Sequence, residues 1–250
     1  MIPKVIHYIW FGRKPFPDKV KKCMDSWKKF LPDYQFLLWN EDTFDVNSVP
    51  FTKQAYENKK WAFVSDYVRV YALQQYGGWY LDTDVEILRP LDSFEDKRVV
   101  LGTDSDGELT ALMGSEKGHP FWQLIMQSYS NMNFLLDDGS FNMVVNNKWL
   151  QNCLKDFGYV NENKYQELKD GIFIYPDEYF HVADLEKGTL HKTSNSYAIH
   201  WHTLLWTSEM SHWMRFFRLH IMKPVFGEGK FLDVWKCCKK FFSGKIWHKE

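Results

Sequence analysis

The chain has 250 residues, 45% hydrophobic and 25% charged, which is ordinary globular composition with enough apolar material for one large domain or two small ones. A formal net charge of -1 supplies no field to gather nucleic acid, and the four cysteines, Cys23, Cys153, Cys237 and Cys238, suggest neither a disulfide framework nor a zinc site. Reduced thiols and a cytoplasmic location are the expectation, because the start Met1-Ile2-Pro3-Lys4 lacks a signal-peptide pattern and no run approaches transmembrane length.

Val5 to Phe11 reads as a mostly buried strand with Trp10 at its carboxyl end, closed by Gly12 and the Pro15/Pro17 region. From Pro17 to Phe30 apolar residues recur at helical spacing between lysines, and Tyr34 to Trp39 is a second strand. The sequence therefore predicts a βαβ unit of a parallel sheet. Phe51 to Tyr76 is the longest helical stretch, with a break near Asn58. Its second half is apolar nearly all round except for Ala62, Ser65, Asp66 and Arg69 at i, i+3, i+4 and i+7, a polar strip on a buried rod. A local Asp66–Arg69 ion pair explains that strip as well as a ligand does.

Gly77-Gly78 ends the helix, and Trp79-Tyr80-Leu81 is a short buried strand leading to Asp82-Thr83-Asp84. Side chains two apart on a strand share a face, so Asp82, Asp84 and Glu86 are expected to point at one spot. Carboxylates that leave coordination positions open suit Mg²⁺ or Mn²⁺, which can hold a diphosphate and neutralise the charge of a departing group. A wet turn is the bland alternative, since Asp-x-Asp is common.

Further strands are expected at Val85–Leu88, Arg98–Gly102, Leu109–Met113 and Gly171–Tyr175, with helices over Phe121–Tyr129 and Gly139–Phe157. Tyr197 to His202 reads as a strand whose two histidines, His200 and His202, share a face and offer imidazole to a metal such as Mn²⁺. Beyond Trp206 the composition shifts. Residues 211–250 interleave bulky aromatics with Arg and Lys, a pattern that suits an anionic membrane surface, a packed appendage or a dimer contact. The expected division is a catalytic domain over 1–210 and a basic, aromatic-rich helical appendage over 211–250.

Three ordered stretches, Ile2-Pro3-Lys4-Val5-Ile6-His7-Tyr8-Ile9-Trp10-Phe11-Gly12, Ala62 to Arg69, and Tyr76 to Asp84, together resemble the DXD-containing sugar transferases of glycosyltransferase family 32. That family includes capsular-polysaccharide transferases and α-1,6-mannosyltransferases, and the glucosylating toxins are more distantly similar. The resemblance covers roughly residues 2–206. It implies an α/β, Rossmann-like fold of the GT-A type with a mixed, mostly parallel central sheet and flanking helices. It also implies a divalent metal and retaining transfer from a nucleotide-diphosphate sugar, a UDP-sugar before GDP-mannose, to a saccharide or lipid-linked saccharide acceptor.

By position, Trp10 would stack on the base, and Ala62, Ser65, Asp66, Arg69, Tyr80 and Trp206 would belong to the donor site. Asp82 would face ribose, sugar or metal, and Asp84 would be the principal metal ligand. The family's His-His…Ser-Trp pattern appears here as His200-Trp201-His202…Trp206, out of register at the second His. Thr110-Ala111 stands where relatives carry Asn-Gly. The rivals are a metal-dependent nucleotidyl or phosphoryl transferase, against which the missing Walker loop counts, and a Ca²⁺-dependent carbohydrate-binding module.

Overall fold

The computed structural model describes residues 1–103, 107, 109–142, 146–184 and 189–203. The elements in chain order are β1 (Val5–Ile9), α1 (Asp18–Phe30), β2 (Gln35–Trp39), α2 (Pro50–Glu57), α3 (Trp61–Tyr76), β3 (Gly78–Leu81), β4 (Val85–Ile87), β5 (Val99–Gly102) and β6 (Leu112–Ser115). They continue with α4 (Pro120–Ser130), α5 (Asn146–Lys155), β7 (Gln166–Leu168), β8 (Ile172–Tyr175), α6 (Asp177–Phe180), β9 (Ala183–Asp184), β10 (Thr189–Leu190) and β11 (Ala198–His200).

Seven strands form one sheet in the order β2-β1-β3-β6-β5-β8-β7. β1 is parallel to β2 and β3, β5 is parallel to β8, and β6 and β7 run the other way. This is the mixed, mostly parallel α/β sheet with flanking helices that the sequence led us to expect. The chain leaves β1 through α1 to reach β2 on one side, and returns through α2 and α3 to β3 on the other.

Both faces of the sheet are covered, so its central strands are buried throughout rather than alternating in polarity. On one face Tyr80, Val99, Leu101 and Met113 pack with Val64 and Val68 of α3. On the other, Trp79, Leu81, Val100 and Leu112 pack with Trp27 of α1. β1 thus sits between strands whose crossovers lie on opposite faces, and the crevice beyond the carboxyl ends of β1 and β3 is a topological switch point, where open α/β sheets take ligands.

The paired glycines before β3 are required by space as well as conformation. Gly77 and Gly78 have φ of 66° and 98°, and a Cβ at Gly78 would meet the Val5 carbonyl at 2.6 Å. Asn58, Lys59 and Lys60 link α2 to α3, with Lys59 at a positive φ of 56°, which is the break expected near Asn58. The strand expected at Leu109–Met113 begins later, at Leu112, and the helix expected over Gly139–Phe157 is confined to Asn146–Lys155. Among the described residues no helix is long and apolar enough to cross a membrane. Residues 211–250 lie outside the described part, and with them the expected appendage.

Candidate active site

β3 ends at Leu81, and the chain turns at once, the Val85 N–H donating to the Asp82 carbonyl at 3.0 Å. The expectation of one strand face shared by Asp82, Asp84 and Glu86 is therefore corrected. The turn, not strand alternation, brings Asp82 and Asp84 together, because the sheet partner of β3 runs out and the N–H of Asp82 closes on the Ala111 carbonyl at 2.8 Å. Glu86 is one strand residue further on and accepts from the Trp201 indole at 2.9 Å.

β4 then pairs antiparallel with β11, in a register that sets His200 opposite Val85. This pairing carries His200 Nε2 to 3.4 Å from Asp84 Oδ1 and 3.9 Å from Asp82 Oδ2. Asp82, Asp84 and His200 each offer a ligand atom, all within 4.8 Å of one another. Two carboxylates and one imidazole suit a divalent cation of intermediate hardness, and the nitrogen favours Mn²⁺ over Mg²⁺.

Arg69 closes the same site from α3. Its Nη2 lies 3.1 Å from Asp66 Oδ1 and its Nη1 3.7 Å from Asp82 Oδ1. Nη1 also donates to the Thr110 carbonyl at 3.2 Å and Nε to the Ser65 carbonyl at 3.3 Å. The guanidinium lies 4.8 Å from the centre of the Tyr80 ring, and the Tyr80 hydroxyl donates to Asp82 Oδ1. The Asp66–Arg69 ion pair is present, and it extends to Asp82; the local and the site-building accounts of the polar strip are one arrangement.

Burial, and behind it the charge of Asp84, pushes the Asp82 carboxyl above the usual carboxylate range against Arg69 and His200. Burial also opposes the charge on Arg69, yet Tyr80, Asp82 and Asp66 hold its pKa above the ordinary guanidinium value. Arg69 thus stays charged while the Asp82 carboxyl is held toward its protonated form.

Trp10 follows β1 directly. Continuing the register that sets His7 beside Tyr80 places Trp10 at the same sheet edge as the Asp82 turn. Its indole N–H donates to the Lys14 carbonyl at 2.6 Å, and its ring centroid is 5.1 Å from that of Phe16. Ala62 and Ser65 are half-buried in the first turns of α3, the Ser65 hydroxyl donating to the Trp61 carbonyl at 3.1 Å. Trp206 lies outside the described residues.

His202 departs from the expected strand. β11 ends at His200, and His202 has a φ of 44°, so its ring folds back to a centroid distance of 3.7 Å from His200 instead of alternating along a strand. Beside them stands His181, which follows α6 and was not singled out in the sequence. It is 4% exposed, and neither ring nitrogen has a hydrogen-bond partner among the described residues. Burial, with His200 and His202 adding to it, keeps its pKa well below the ordinary histidine value. Burying a polar group unpaired costs on the order of 1–3 kcal/mol. No pattern in the sequence marks His181; in the fold it packs against Gly102, where a Cβ would meet its ring at 3.0 Å.

Residues 17–101 match the family model described as "Glycosyltransferase sugar-binding region containing DXD motif". The chain is 31% identical over 138 residues to inositol phosphoceramide mannosyltransferase 3 of Schizosaccharomyces pombe, covering 53% of this chain and 38% of that one. It is 31% identical over 142 residues to mannosyl phosphorylinositol ceramide synthase SUR1 of Saccharomyces cerevisiae, covering 51% and 35%. Both alignments take in well under half of the relative's length. Among solved structures, the PaToxG glycosyltransferase superposes with a TM-score of 0.47 at 19% identity over 62% of this chain and 68% of that one. The matched stretch, residues 17–101, holds Arg69 and both carboxylates of the Asp82-Thr83-Asp84 turn, so the similarity to the DXD-containing glycosyltransferases falls on the same residues as the sequence motifs.

Proposed function

We propose that the chain is a metal-dependent, retaining hexosyltransferase of GT-A type. It moves a sugar from a nucleotide-diphosphate donor to a saccharide or lipid-linked acceptor. The observation that carries this reading is the convergence of Asp82, Asp84 and His200, from a turn and a strand more than a hundred residues later, beside Arg69 at the switch point of the sheet.

Asp82, Asp84 and His200 would hold Mn²⁺ or Mg²⁺, and the bound cation would neutralise the charge that grows on a departing nucleoside diphosphate. Arg69 is pinned by two backbone carbonyls and two carboxylates, so its charge costs no reorganisation when the leaving group departs. Asp66 has acceptor oxygens suited to ribose or sugar hydroxyls, and Trp10 offers an indole face for the base. Attack by the acceptor hydroxyl on the face the leaving group vacates accounts for retention without a protein nucleophile.

The mannosyltransferase names of the yeast relatives favour mannose as the sugar, and the names of their acceptors favour a lipid-linked one. A place at the cytoplasmic membrane face through residues 211–250 belongs to the same proposal, on the strength of their basic and aromatic composition. Flotation with liposomes containing anionic lipid, with and without that segment, tests it; equal recovery of both forms would remove it.

The reaction is tested by incubating the chain with UDP- and GDP-hexoses in Mn²⁺, Mg²⁺ or EDTA and following released nucleoside diphosphate. Release from one donor, abolished by EDTA and by Asp84→Asn, is the expected result. Pyrophosphate release from a nucleoside triphosphate would move the assignment to a nucleotidyl transferase. Sugar binding that requires Ca²⁺ and consumes no donor would move it to a carbohydrate-binding module.

A further inference from the structure

Beside the carboxylate site, and sharing His200 with it, lies a second cluster whose other members, His181 and His202, have no part in the proposed transfer. His181, His200 and His202 each offer an imidazole nitrogen, all within 4.8 Å of one another. His181 comes from the end of α6 and the other two from the end of β11, so the cluster is made by tertiary packing, not by adjacency in sequence. The ring centroids of His181 lie 5.7 Å from His200 and 6.4 Å from His202.

The strongest single feature is His181 itself. It is 4% exposed, and both its nitrogens are without a hydrogen-bond partner among the described residues. Nothing there holds the ring in one orientation by hydrogen bonding, and burial so deep without pairing is costly unless another species takes up the nitrogen. The neighbourhood also makes room for the ring, since Gly102 at the end of β5 has an ordinary φ and its missing side chain is what keeps His181 Cδ2 and Nε2 from a 3.0 Å contact.

We infer that His181, His200 and His202 form an all-imidazole cation site of the Zn²⁺ class, distinct in its ligands from the carboxylate site and sharing His200 with it. Three neutral imidazoles are a common ligand set for zinc, with the remaining position open to water or substrate. Tetrahedral Zn–N bonds of about 2.1 Å set ligand nitrogens about 3.4 Å apart, so modest ring rotation contracts the cluster onto an ion. Nitrogen donors without a carboxylate select a borderline transition metal over Mg²⁺ or Mn²⁺, which go to the oxygen-rich set of Asp82 and Asp84. The inference concerns cation binding and stands apart from whether the chain transfers sugar.

The test uses the full chain and two cations. Zn²⁺ affinity is measured by competition with a chromophoric chelator, and Mn²⁺ affinity by the loss of the free-ion electron paramagnetic resonance signal, for wild type, His181→Phe and Asp84→Asn. The expected result is that His181→Phe weakens Zn²⁺ by about tenfold or more while leaving Mn²⁺ within about twofold, and that Asp84→Asn does the reverse. Equal Zn²⁺ affinity in wild type and His181→Phe would overturn the site. So would loss of Zn²⁺ binding in Asp84→Asn as large as in His181→Phe, because one carboxylate site would then be taking both ions. Should the phenylalanine variant fail to fold, Co²⁺ added to wild type decides: intense visible bands of tetrahedral, nitrogen-ligated cobalt are expected, and the weak spectrum of an octahedral ion refutes the inference.

Discussion

Acid should destabilise this fold through His7, and the effect can be worked from three atoms. His7 is fully buried in β1; Trp39 Nε1, which can only donate, lies 3.1 Å from its Nδ1, and its Nε2 lies 2.8 Å from the Gly77 carbonyl. The neutral tautomer with hydrogen on Nε2 satisfies both partners. A second proton on Nδ1 would face the indole N–H and leave a buried cation, and burial accordingly lowers the His7 pKa from 6.5 to about 4, with the Gly77 carbonyl pulling weakly the other way.

Because the folded value lies below the unfolded one, the stabilisation is complete above about pH 6.5 and is lost as pH falls toward 4. At 1.36 kcal/mol per pKa unit the loss approaches about 3 kcal/mol, a sizeable share of the 5–15 kcal/mol typical of domains. His7→Gln preserves one donor and one acceptor of similar reach without the titration. Urea unfolding at intervals from pH 7.5 to 4.5 should show wild type losing about 2–3 kcal/mol more than the variant over that range. Parallel losses in the two proteins would refute the account of His7.

Arg69→Met should cost about 2–4 kcal/mol in thermal or urea unfolding, since it strands the half-buried Asp66 and Asp82 carboxylates; a loss below about 1 kcal/mol would mean the ion network contributes little. Tyr80→Phe keeps the ring beneath Arg69 and removes the hydroxyl that donates to Asp82, whose proton affinity is already raised. Apparent Mn²⁺ affinity should fall by about tenfold, more at pH 6 than at pH 8, and a pH-independent change would contradict the role given to that hydroxyl. Gly114→Ala would set a Cβ 2.7 Å from the Trp79 ring in the sheet core and should destabilise by about 1–3 kcal/mol in urea, an effect that unchanged unfolding would exclude.

The helices and central strands were legible because each is specified by local chemistry. The apolar run of Trp79-Tyr80-Leu81 behind two glycines can only be a strand buried on both faces, and the strip of Ser65, Asp66 and Arg69 on a greasy helix marks the face that looks at something polar. The other half of the site was not legible, because it depends on pairing between distant segments. Nothing in Ala198-Ile199-His200 says that it will lie against Val85-Glu86-Ile87, or that His200 will be the histidine facing both carboxylates while His202 turns toward His181. His181 itself follows a short helix with no periodicity to mark it, and its place beside Gly102 is set by packing between segments distant in sequence.

The charges of the site argue for a cation more strongly than the motif does. Asp66 and Asp82 flank the Arg69 guanidinium, and Asp84 clusters with Asp82 and His200, so among the described residues the site gathers more carboxylates than guanidinium groups in a partly buried setting. A nucleoside diphosphate brought there alone would meet like charge at close range, where repulsion amounts to several kcal/mol at an effective dielectric near 20. The Asp82 carboxyl is pushed upward chiefly by burial, with the Asp84 charge adding to it. A divalent ion held by Asp82, Asp84 and His200 would offset that negative charge, with Arg69 as a second positive group facing the phosphates of the proposed donor. Donor binding and metal binding should therefore be coupled in this chain, each ligand raising the affinity for the other, because neither charge is well accommodated without its opposite.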